Sequence, residues 1–95
     1  MNDVKLPKKV SAHPSVVVQE VEDELVLLHM ETEQYFSLDD VGTAMYKHLV
    51  ETTSVEEAVT ALIKEYDATE AKIRYDLAQL IDKLVAAQLL TVLET

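Results

Sequence analysis

The side chains that could carry chemistry are few, and histidine is the first type to consider. His13, His29 and His48 are the only histidines, and they fall on three different predicted elements. No two of them have the H-x-H or H-x-x-x-H spacing that places two imidazoles on one metal ion. His29 and His48 lie within apolar patterns, which predicts partly buried structural roles for them. The histidines therefore indicate no metal site.

The other reactive residue types also lack a catalytic spacing. Asp39 and Asp40 could be imagined as a metal-binding pair, but charge at the positive end of a helix explains them better. The chain has no cysteine and one glycine, which excludes thiolate chemistry and Gly-rich phosphate loops. None of the serines lies in a G-x-S-x-G elbow. We expect a protein that is not an enzyme and needs no cofactor.

One serine lies in a dipeptide that also occurs at the modification site of carrier proteins. Acyl and peptidyl carriers bear a modified serine that precedes a leucine at a helix start, and Ser37-Leu38 has that order. However, Phe36 stands where those motifs have aspartate or histidine. Predicted strands, rather than a helix, also precede the site. The pattern disfavours a carrier protein.

Size and composition indicate one small globular domain. The chain has 95 residues, of which 48% are hydrophobic and 27% are charged, as is typical of soluble proteins. No apolar run approaches the roughly 20 residues of a membrane helix. The N-terminus also lacks the apolar core of a signal peptide. We expect a cytoplasmic protein with no membrane partner.

The acidic charge balance disfavours nucleic acid as a partner. Eighteen Asp and Glu against eight Lys and Arg give a net charge of −10, whereas nucleic-acid affinity comes from basic side chains. No Lys or Arg lies between Lys9 and Lys47. The acidic residues of that stretch are Glu20, Glu22, Asp23, Glu24, Glu31, Glu33, Asp39 and Asp40. Two interpretations stay open: a solvated acidic face, or a surface that attracts a basic partner.

Residues 16–38 are predicted to form three short strands. The first opens with the β-branched run Val16–Val18, the second is the apolar run Glu24–Met30, and the third is Gln34–Leu38. Such runs, separated by short polar breaks, are typical of strands. The short connections predict an antiparallel meander.

Residues 39–90 are predicted to form three helices. The first begins at Asp39-Asp40, where negative charge suits the helix dipole. The second opens with Ser54 and Glu57, which have the spacing of a capping box. The third extends over about residues 67–88, or roughly 30 Å. Strands followed by helices indicate an α+β fold, here a winged-helix-like one with a three-stranded antiparallel sheet followed by three helices.

The two ends of the chain are the least patterned parts. Residues 1–15 hold both prolines, and we predict a loose N-terminal arm with at most a short edge segment. Residues 16–93 then form a single domain. The apolar stretch Leu89–Leu93 fits either the last turn of the third helix or a short extended segment that packs against the domain.

The third predicted strand suggests a binding surface. If it lies at a sheet edge, its main-chain groups are a template for another strand. It carries Tyr35 and Phe36 and has no Lys or Pro that would block pairing. The long third helix beside it would complete a groove for an extended peptide.

The order and spacing of these runs resemble the PqqD family, the small domains known as RiPP recognition elements. The resemblance covers about residues 13–93. It rests on His13-Pro14, Val16–Val18, Leu25–Leu28, Tyr35–Gly42, Thr53–Glu57, the apolar pattern of Ile73–Leu84, and Leu89-Leu90. The departures are Asp39 for a commoner asparagine, Tyr46 for tryptophan, Gln88 for glycine, and the missing Pro-Glu-Gly run after Leu28. The chain looks most like the free-standing proteins of lasso-peptide clusters.

The resemblance implies a non-catalytic adaptor. Such proteins bind the leader segment of a ribosomally made precursor peptide as a fourth strand beside strand 3 and helix 3. They deliver it to a cluster-encoded leader peptidase, cyclase or other tailoring enzyme. The implied peptide-binding residues are Gln34, Tyr35, Phe36, Ser37, Leu38, Arg74, Asp76, Leu77 and Leu80. Of these, Tyr35, Arg74 and Asp76 discriminate best, because the apolar members also suit the core.

Two other functions stay open at this point. The order of elements also fits a winged-helix transcription regulator, although the third helix balances Lys72, Arg74 and Lys83 with acidic residues. A structural or oligomerising subunit is the second alternative. An open strand edge permits either a monomer or a strand-exchanged dimer.

Overall fold

Four strands are followed by three helices and a last strand in the computed structural model, which describes residues 5–93. The elements are β1 (Lys9–Ala12), β2 (Val16–Val21), β3 (Glu24–His29), β4 (Tyr35–Leu38), α1 (Asp40–Glu51), α2 (Val55–Glu65), α3 (Glu70–Ala86) and β5 (Leu90–Leu93). The predicted α+β fold, with a three-stranded antiparallel sheet followed by three helices, is confirmed.

The central sheet has the order β2-β3-β4, so that β4 forms one edge. All pairings are antiparallel, and at the far end of the β3–β4 ladder Leu25 lies opposite Leu38. The two turns contain no glycine. Glu22 and Glu33 instead adopt left-handed φ angles of 58° and 64° there, which is unfavourable for residues with a Cβ atom. The pairing of the flanking strands holds these turns in place.

The N-terminal arm, predicted as loose, contains an ordered strand. β1 pairs antiparallel with β5 in a separate two-stranded sheet, and the Val10 side chain is only 2% exposed. The Lys8 carbonyl also accepts a 2.9 Å hydrogen bond from the Val55 N–H at the start of α2. The ordered structure therefore extends back from residue 16 to β1. Residues 1–4 of the predicted arm lie outside the described residues.

Side-chain caps begin all three helices. The N-cap residues are Asp39, Ser54 and Thr69. Ser54 Oγ accepts a 3.1 Å bond from the Glu57 N–H, as the capping box predicts. The Glu57 carboxylate, however, accepts from the Thr53 N–H and hydroxyl at 3.0 and 2.8 Å, and these bonds hold the Glu57 pKa below its usual value. Within residues 5–93, no helix has the length and apolarity needed to cross a membrane.

The core lies where the helices pack on one face of β3 and β4 and on the small β1–β5 sheet. Its most deeply buried large residues include Leu27, Leu49, Leu62, Leu77, Leu84 and Leu89. On α1 the buried residues are Thr43, Met45, Tyr46 and Leu49. Val41, in contrast, is 41% exposed, because the first turn of α1 borders a groove rather than the core.

The end of α3 shows why the C-terminal tail is extended. Gln88 adopts a left-handed φ of 62°. Its N–H bonds to the Val85 carbonyl at 3.0 Å, and the Leu89 N–H bonds to the Leu84 carbonyl at 2.7 Å. These two bonds form a Schellman motif, which ends a helix. The chain then leaves α3 as β5, so the extended alternative is correct for Leu90–Leu93.

Candidate functional site

The outer edge of β4 presents main-chain groups that point away from the sheet. The His29 N–H donates to the Gln34 carbonyl at 2.9 Å, which makes this a hydrogen-bonded pair. Such pairs alternate along an antiparallel ladder. Counting along the register, the main chain of Phe36 faces β3, whereas the N–H and C=O groups of Tyr35 and Ser37 face the open edge.

A groove of about 400 Å³ lies between this edge and α3, with the start of α1 as its third wall. The residues that line it are Phe36, Ser37, Leu38, Asp39, Val41, Gly42, Met45, Asp76, Gln79, Leu80 and Lys83. A Cβ atom built on Gly42 would lie 3.2 Å from Asp39 Oδ1 and 3.4 Å from Leu38 Cδ2. The glycine therefore leaves room for the N-cap carboxylate at this wall.

The floor of the groove is apolar. Leu38 and Met45 are buried, and Phe36 and Leu80 are half-buried against the core. Val41 adds a largely exposed side chain at the mouth. An apolar side chain that entered this groove would lose contact with water and gain roughly 25 cal/mol for each Å² that it buried.

The polar residues of α3 in the groove differ in their partners. Asp76 Oδ2 accepts a 2.9 Å bond from Lys72 Nζ, and Gln79 Nε2 donates to the Tyr75 hydroxyl at 2.8 Å. Lys83, in contrast, has no carboxylate within 4.0 Å among the residues that the structure describes. Lys83 is also the only cationic residue lining the groove within that part of the chain.

The structure brings five of the nine predicted peptide-binding residues into this groove. They are Phe36, Ser37, Leu38, Asp76 and Leu80. Gln34 lies just before β4 and bonds to β3 through its carbonyl. Tyr35 is 70% exposed on the opposite face of the sheet, because side chains alternate along a strand. Leu77 is fully buried in the core.

Arg74 lies outside the groove lining, in contrast to its predicted role. Its guanidinium donates to both oxygens of Glu56 at 2.6 and 2.7 Å, and its Nε donates to Glu70 at 2.8 Å. These carboxylates raise the pKa of Arg74, and Arg74 lowers the pKa of Glu56. The residue joins α3 to α2, because it lies on a different face of α3 from Asp76 and Leu80.

The sequence-based prediction missed six groove residues: Gln79 and Lys83 on α3, and Asp39, Val41, Gly42 and Met45 at the start of α1. Gln79 and Lys83 follow Asp76 by three and seven residues, which is the spacing of one helix face. Extending the prediction from Asp76 along that face would have found both. Val41 and Met45 line the groove from α1, and no local pattern indicates which wall α1 supplies.

The turn that precedes β4 is built on His29. This side chain is 1% exposed, and its Nδ1 accepts bonds from the Glu31 and Thr32 N–H groups, both at 3.2 Å. Its ring packs on the ring of His13, with centroids 4.6 Å apart. His29 Nε2 is buried without a hydrogen-bond partner among the described residues. The imidazole thus positions the start of the edge strand.

Thr43 ties α1 to the far end of the same strand. The Leu25 N–H donates to Thr43 Oγ1 at 3.0 Å, and the Thr43 hydroxyl donates to the Leu38 carbonyl at 3.3 Å. Leu25 and Leu38 are register partners. The buried threonine therefore bridges the β3–β4 ladder at its last pair and fixes β4 beside α1.

The histidines and acids form no metal cluster in the described part of the chain. No group of three or more His, Asp or Glu side chains that could hold a metal ion occurs in residues 5–93. His48 lies 3.4 Å from the Glu65 carboxylate, and His29 serves the turn described above.

The outer face of the sheet is apolar and exposed. Val17, Leu28 and Tyr35 occupy adjacent register positions on β2, β3 and β4, and they are 48%, 36% and 70% exposed. The turns at residues 22–23 and 31–33 contribute acidic residues at the two ends of this sheet. We call this row of three residues the outer apolar row.

A family model, Coenzyme PQQ synthesis protein D (PqqD), matches residues 24–90. The chain belongs to the PqqD family. The matched segment runs from β3 to the start of β5, so it includes all three walls of the groove. The resemblance to PqqD proteins that the motifs indicated is thereby confirmed. A search of curated proteins found no match.

Two solved structures share the architecture of this PqqD-family chain. TbiB1 in complex with the TbiA(beta) leader peptide is 33% identical, with a TM-score of 0.82 over 90% of this chain and 99% of that chain. Lasso peptide synthetase B1 complexed with the leader peptide is 20% identical, with a TM-score of 0.79 over 87% of this chain and 98% of that chain. The second likeness supports the fold.

Proposed function

We propose that this chain is a non-catalytic adaptor that binds the leader segment of a ribosomally made precursor peptide. The single observation that carries the proposal is the open edge of β4, where the main-chain groups of Tyr35 and Ser37 face outward beside a groove walled by α3. The similarity to TbiB1, solved with a leader peptide, supports the same occupant. Ribosomal synthesis of the precursor places this binding in the cytoplasm.

In this proposal the leader adds to β4 as a fourth strand. Its main chain pairs with Tyr35 and Ser37, which provides affinity with little dependence on sequence. Alternate side chains enter the groove and pack against Phe36 and Leu80, which provides register. The remaining side chains extend the outer face of the sheet beside Tyr35.

A proline at Ser37 tests strand addition directly. The Ser37 N–H points away from β3, so Ser37→Pro removes a donor from the open edge while the β3–β4 ladder keeps its bonds. Ser37→Ala is the matched control, because it shortens the side chain and keeps the N–H. The probe is the leader of the precursor gene nearest to the gene for this chain. We expect about a tenfold loss of affinity for the proline variant, corresponding to one main-chain bond.

Isotope-edited NMR provides the second measurement. Leader-induced shifts should cluster on Gln34–Leu38 and on the groove face of α3, from Asp76 to Lys83. A wild-type titration without shifts would contradict the proposal. So would equal leader affinities for the proline and alanine variants, with both shown to be folded by circular dichroism.

Two of the three cations of α3 are held in ion pairs, which disfavours the alternative of a transcription regulator. Lys72 pairs with Asp76, and Arg74 pairs with Glu56 and Glu70. A helix that reads DNA needs such cations available for phosphates and bases. The open edge is compatible with both predicted states, a monomer or a strand-exchanged dimer. In the dimer a second β4 would occupy the leader's place, and the leader would compete with dimerisation.

We propose further that the outer apolar row receives the maturation enzyme, a leader peptidase or cyclase encoded with the precursor. Exposed apolar rows of this kind mark interaction sites, and the acidic turns at both ends of the sheet suit a partner surface with basic residues around an apolar centre. Because a bound leader would lie next to Tyr35, the enzyme would contact the adaptor and its peptide together.

Val17→Thr tests this surface without altering the groove, since threonine keeps the strand propensity and removes an apolar group. Ile63→Thr on α2, at another exposed apolar position, is the matched control. We expect Val17→Thr to weaken binding of the neighbouring peptidase or cyclase about threefold or more while the leader affinity stays unchanged. Equal enzyme binding by the two variants would contradict the assignment.

A further inference from the structure

We infer that Lys83 selects an acidic side chain in the bound leader and so sets the register of the peptide in the groove. The inference rests on the proposed function, because it assigns a ligand group to the same groove.

The geometry of α3 places Lys83 at one end of a straight wall. Asp76, Leu80 and Lys83 lie on one helix face and all line the groove. Seven residues separate the first from the last, which is about 10.5 Å along the helix axis. An extended peptide covers that length in about three residues. Lys83 therefore reaches only one or two positions of a leader strand.

Among the charged side chains of the groove, Lys83 is the one that is available to a bound peptide. Asp76 is neutralised by Lys72 at 2.9 Å, and Asp39 caps α1 by accepting from the Gly42 N–H at 2.8 Å. Lys83 has no carboxylate within 4.0 Å among the described residues. An ammonium beside an apolar floor gains a partner when an acidic peptide side chain binds.

The preference for an acidic side chain should be confined to the leader position that faces Lys83. An ion pair partly covered by the peptide and by the floor of the groove is screened less than an exposed one. We therefore expect a preference of about three- to tenfold for glutamate over lysine at the leader position facing Lys83. Elsewhere the net charge of −10 repels acidic side chains and favours basic ones. One leader position should thus show the opposite preference from the rest.

A charge scan of the leader tests the inference. Each position of the leader from the nearest precursor gene is replaced singly by glutamate and by lysine, and each peptide is titrated against the wild-type chain. The same peptides are titrated against Lys83→Glu and Lys83→Met. Lys64→Glu on α2 is the matched control, because it makes the same change in net charge at an exposed position outside the groove.

The expected result is one leader position that prefers glutamate with the wild type and clearly prefers lysine with Lys83→Glu. With Lys83→Met that position should show only the weak lysine preference of the other positions. Lys64→Glu should leave the preferred position unchanged. Leader binding without such a position, or equal effects of Lys83→Glu and Lys64→Glu, would overturn the role of Lys83 and leave the proposed function standing. A leader that fails to bind the wild type contradicts the proposed function and this inference with it.

Discussion

The guanidinium of Arg74 and the carboxylate of Glu56 form two parallel hydrogen bonds, at 2.6 and 2.7 Å, that join α3 to α2. Parallel bonds of this kind fix both the distance and the orientation of the two groups. The Arg74 side chain is 28% exposed and that of Glu56 is 64% exposed. The pair therefore helps to hold α3 as the rigid wall of the groove without entering it.

Replacing Arg74 should lower the stability of the protein without changing its affinity for the leader. We expect Arg74→Met to lower the free energy of unfolding by about 0.5–1 kcal/mol, a value kept small because solvent screens the pair. Leader affinity should stay within twofold of the wild type. Chemical denaturation and peptide titration measure the two effects. A large loss of leader affinity at unchanged stability would instead indicate that Arg74 contacts the leader.

The same pair should make stability depend on pH. Arg74 lowers the pKa of Glu56 from its ordinary value of 4.5, so the folded state favours the ionised carboxylate. The stabilisation is present above pH 4.5 and is lost as the pH falls through the lowered pKa. The difference in unfolding free energy between wild type and Glu56→Gln should therefore be constant from pH 8 to about 6 and shrink below about 4. In an Arg74→Met background this pH-dependent difference should be absent.

The free energy of unfolding should be more sensitive to substitution of Thr43 than the position of this residue on a helix suggests. Thr43→Val keeps the shape of the side chain but removes the hydroxyl between the Leu25 N–H and the Leu38 carbonyl. Leaving these buried groups without a partner should cost about 2 kcal/mol of unfolding free energy. Thr43→Ser, which keeps the hydroxyl, should cost less. Faster amide exchange at Leu25 would locate the effect, and equal stability of the two variants would contradict it.

Gln88 is a position where glycine should stabilise the protein. It adopts a left-handed φ of 62° at the end of α3, which glycine adopts without steric cost. We expect Gln88→Gly to raise the free energy of unfolding by about 1 kcal/mol. The same exchange inside α3, Gln79→Gly, should lower it by about 1 kcal/mol. Thermal or chemical denaturation that ranks the two variants in the opposite order would refute this prediction.

Local patterns in the sequence were enough to predict most of the elements. The β-branched runs and polar breaks of residues 16–38 predicted the meander, and the capping residues Asp39 and Ser54 predicted two helix starts. These features succeed because hydrogen bonding within a turn and the periodicity of side chains depend on near neighbours. The lack of cysteine and the single glycine also excluded thiolate chemistry and Gly-rich phosphate loops. These exclusions depend only on composition and not on how the chain folds.

The β1–β5 sheet and the direction of Arg74 could not be predicted in that way. β1 and β5 are about 80 residues apart in the sequence, so their pairing leaves no local pattern. Arg74 and Asp76 are two residues apart and face different sides of α3, and only the packing of α2 shows which side holds Glu56. The prediction treated both as groove residues because the location of α2 was not known.

The sequence by itself therefore determined β2, β3, β4 and the three helices, together with the acidic charge balance. The tertiary structure decided which helix face completes the groove, and with it the place of Lys83 beside β4. The physical reason is that a groove exists only between elements, and its shape follows from long-range packing. Local periodicity describes one element at a time and carries no information about the distance to the next.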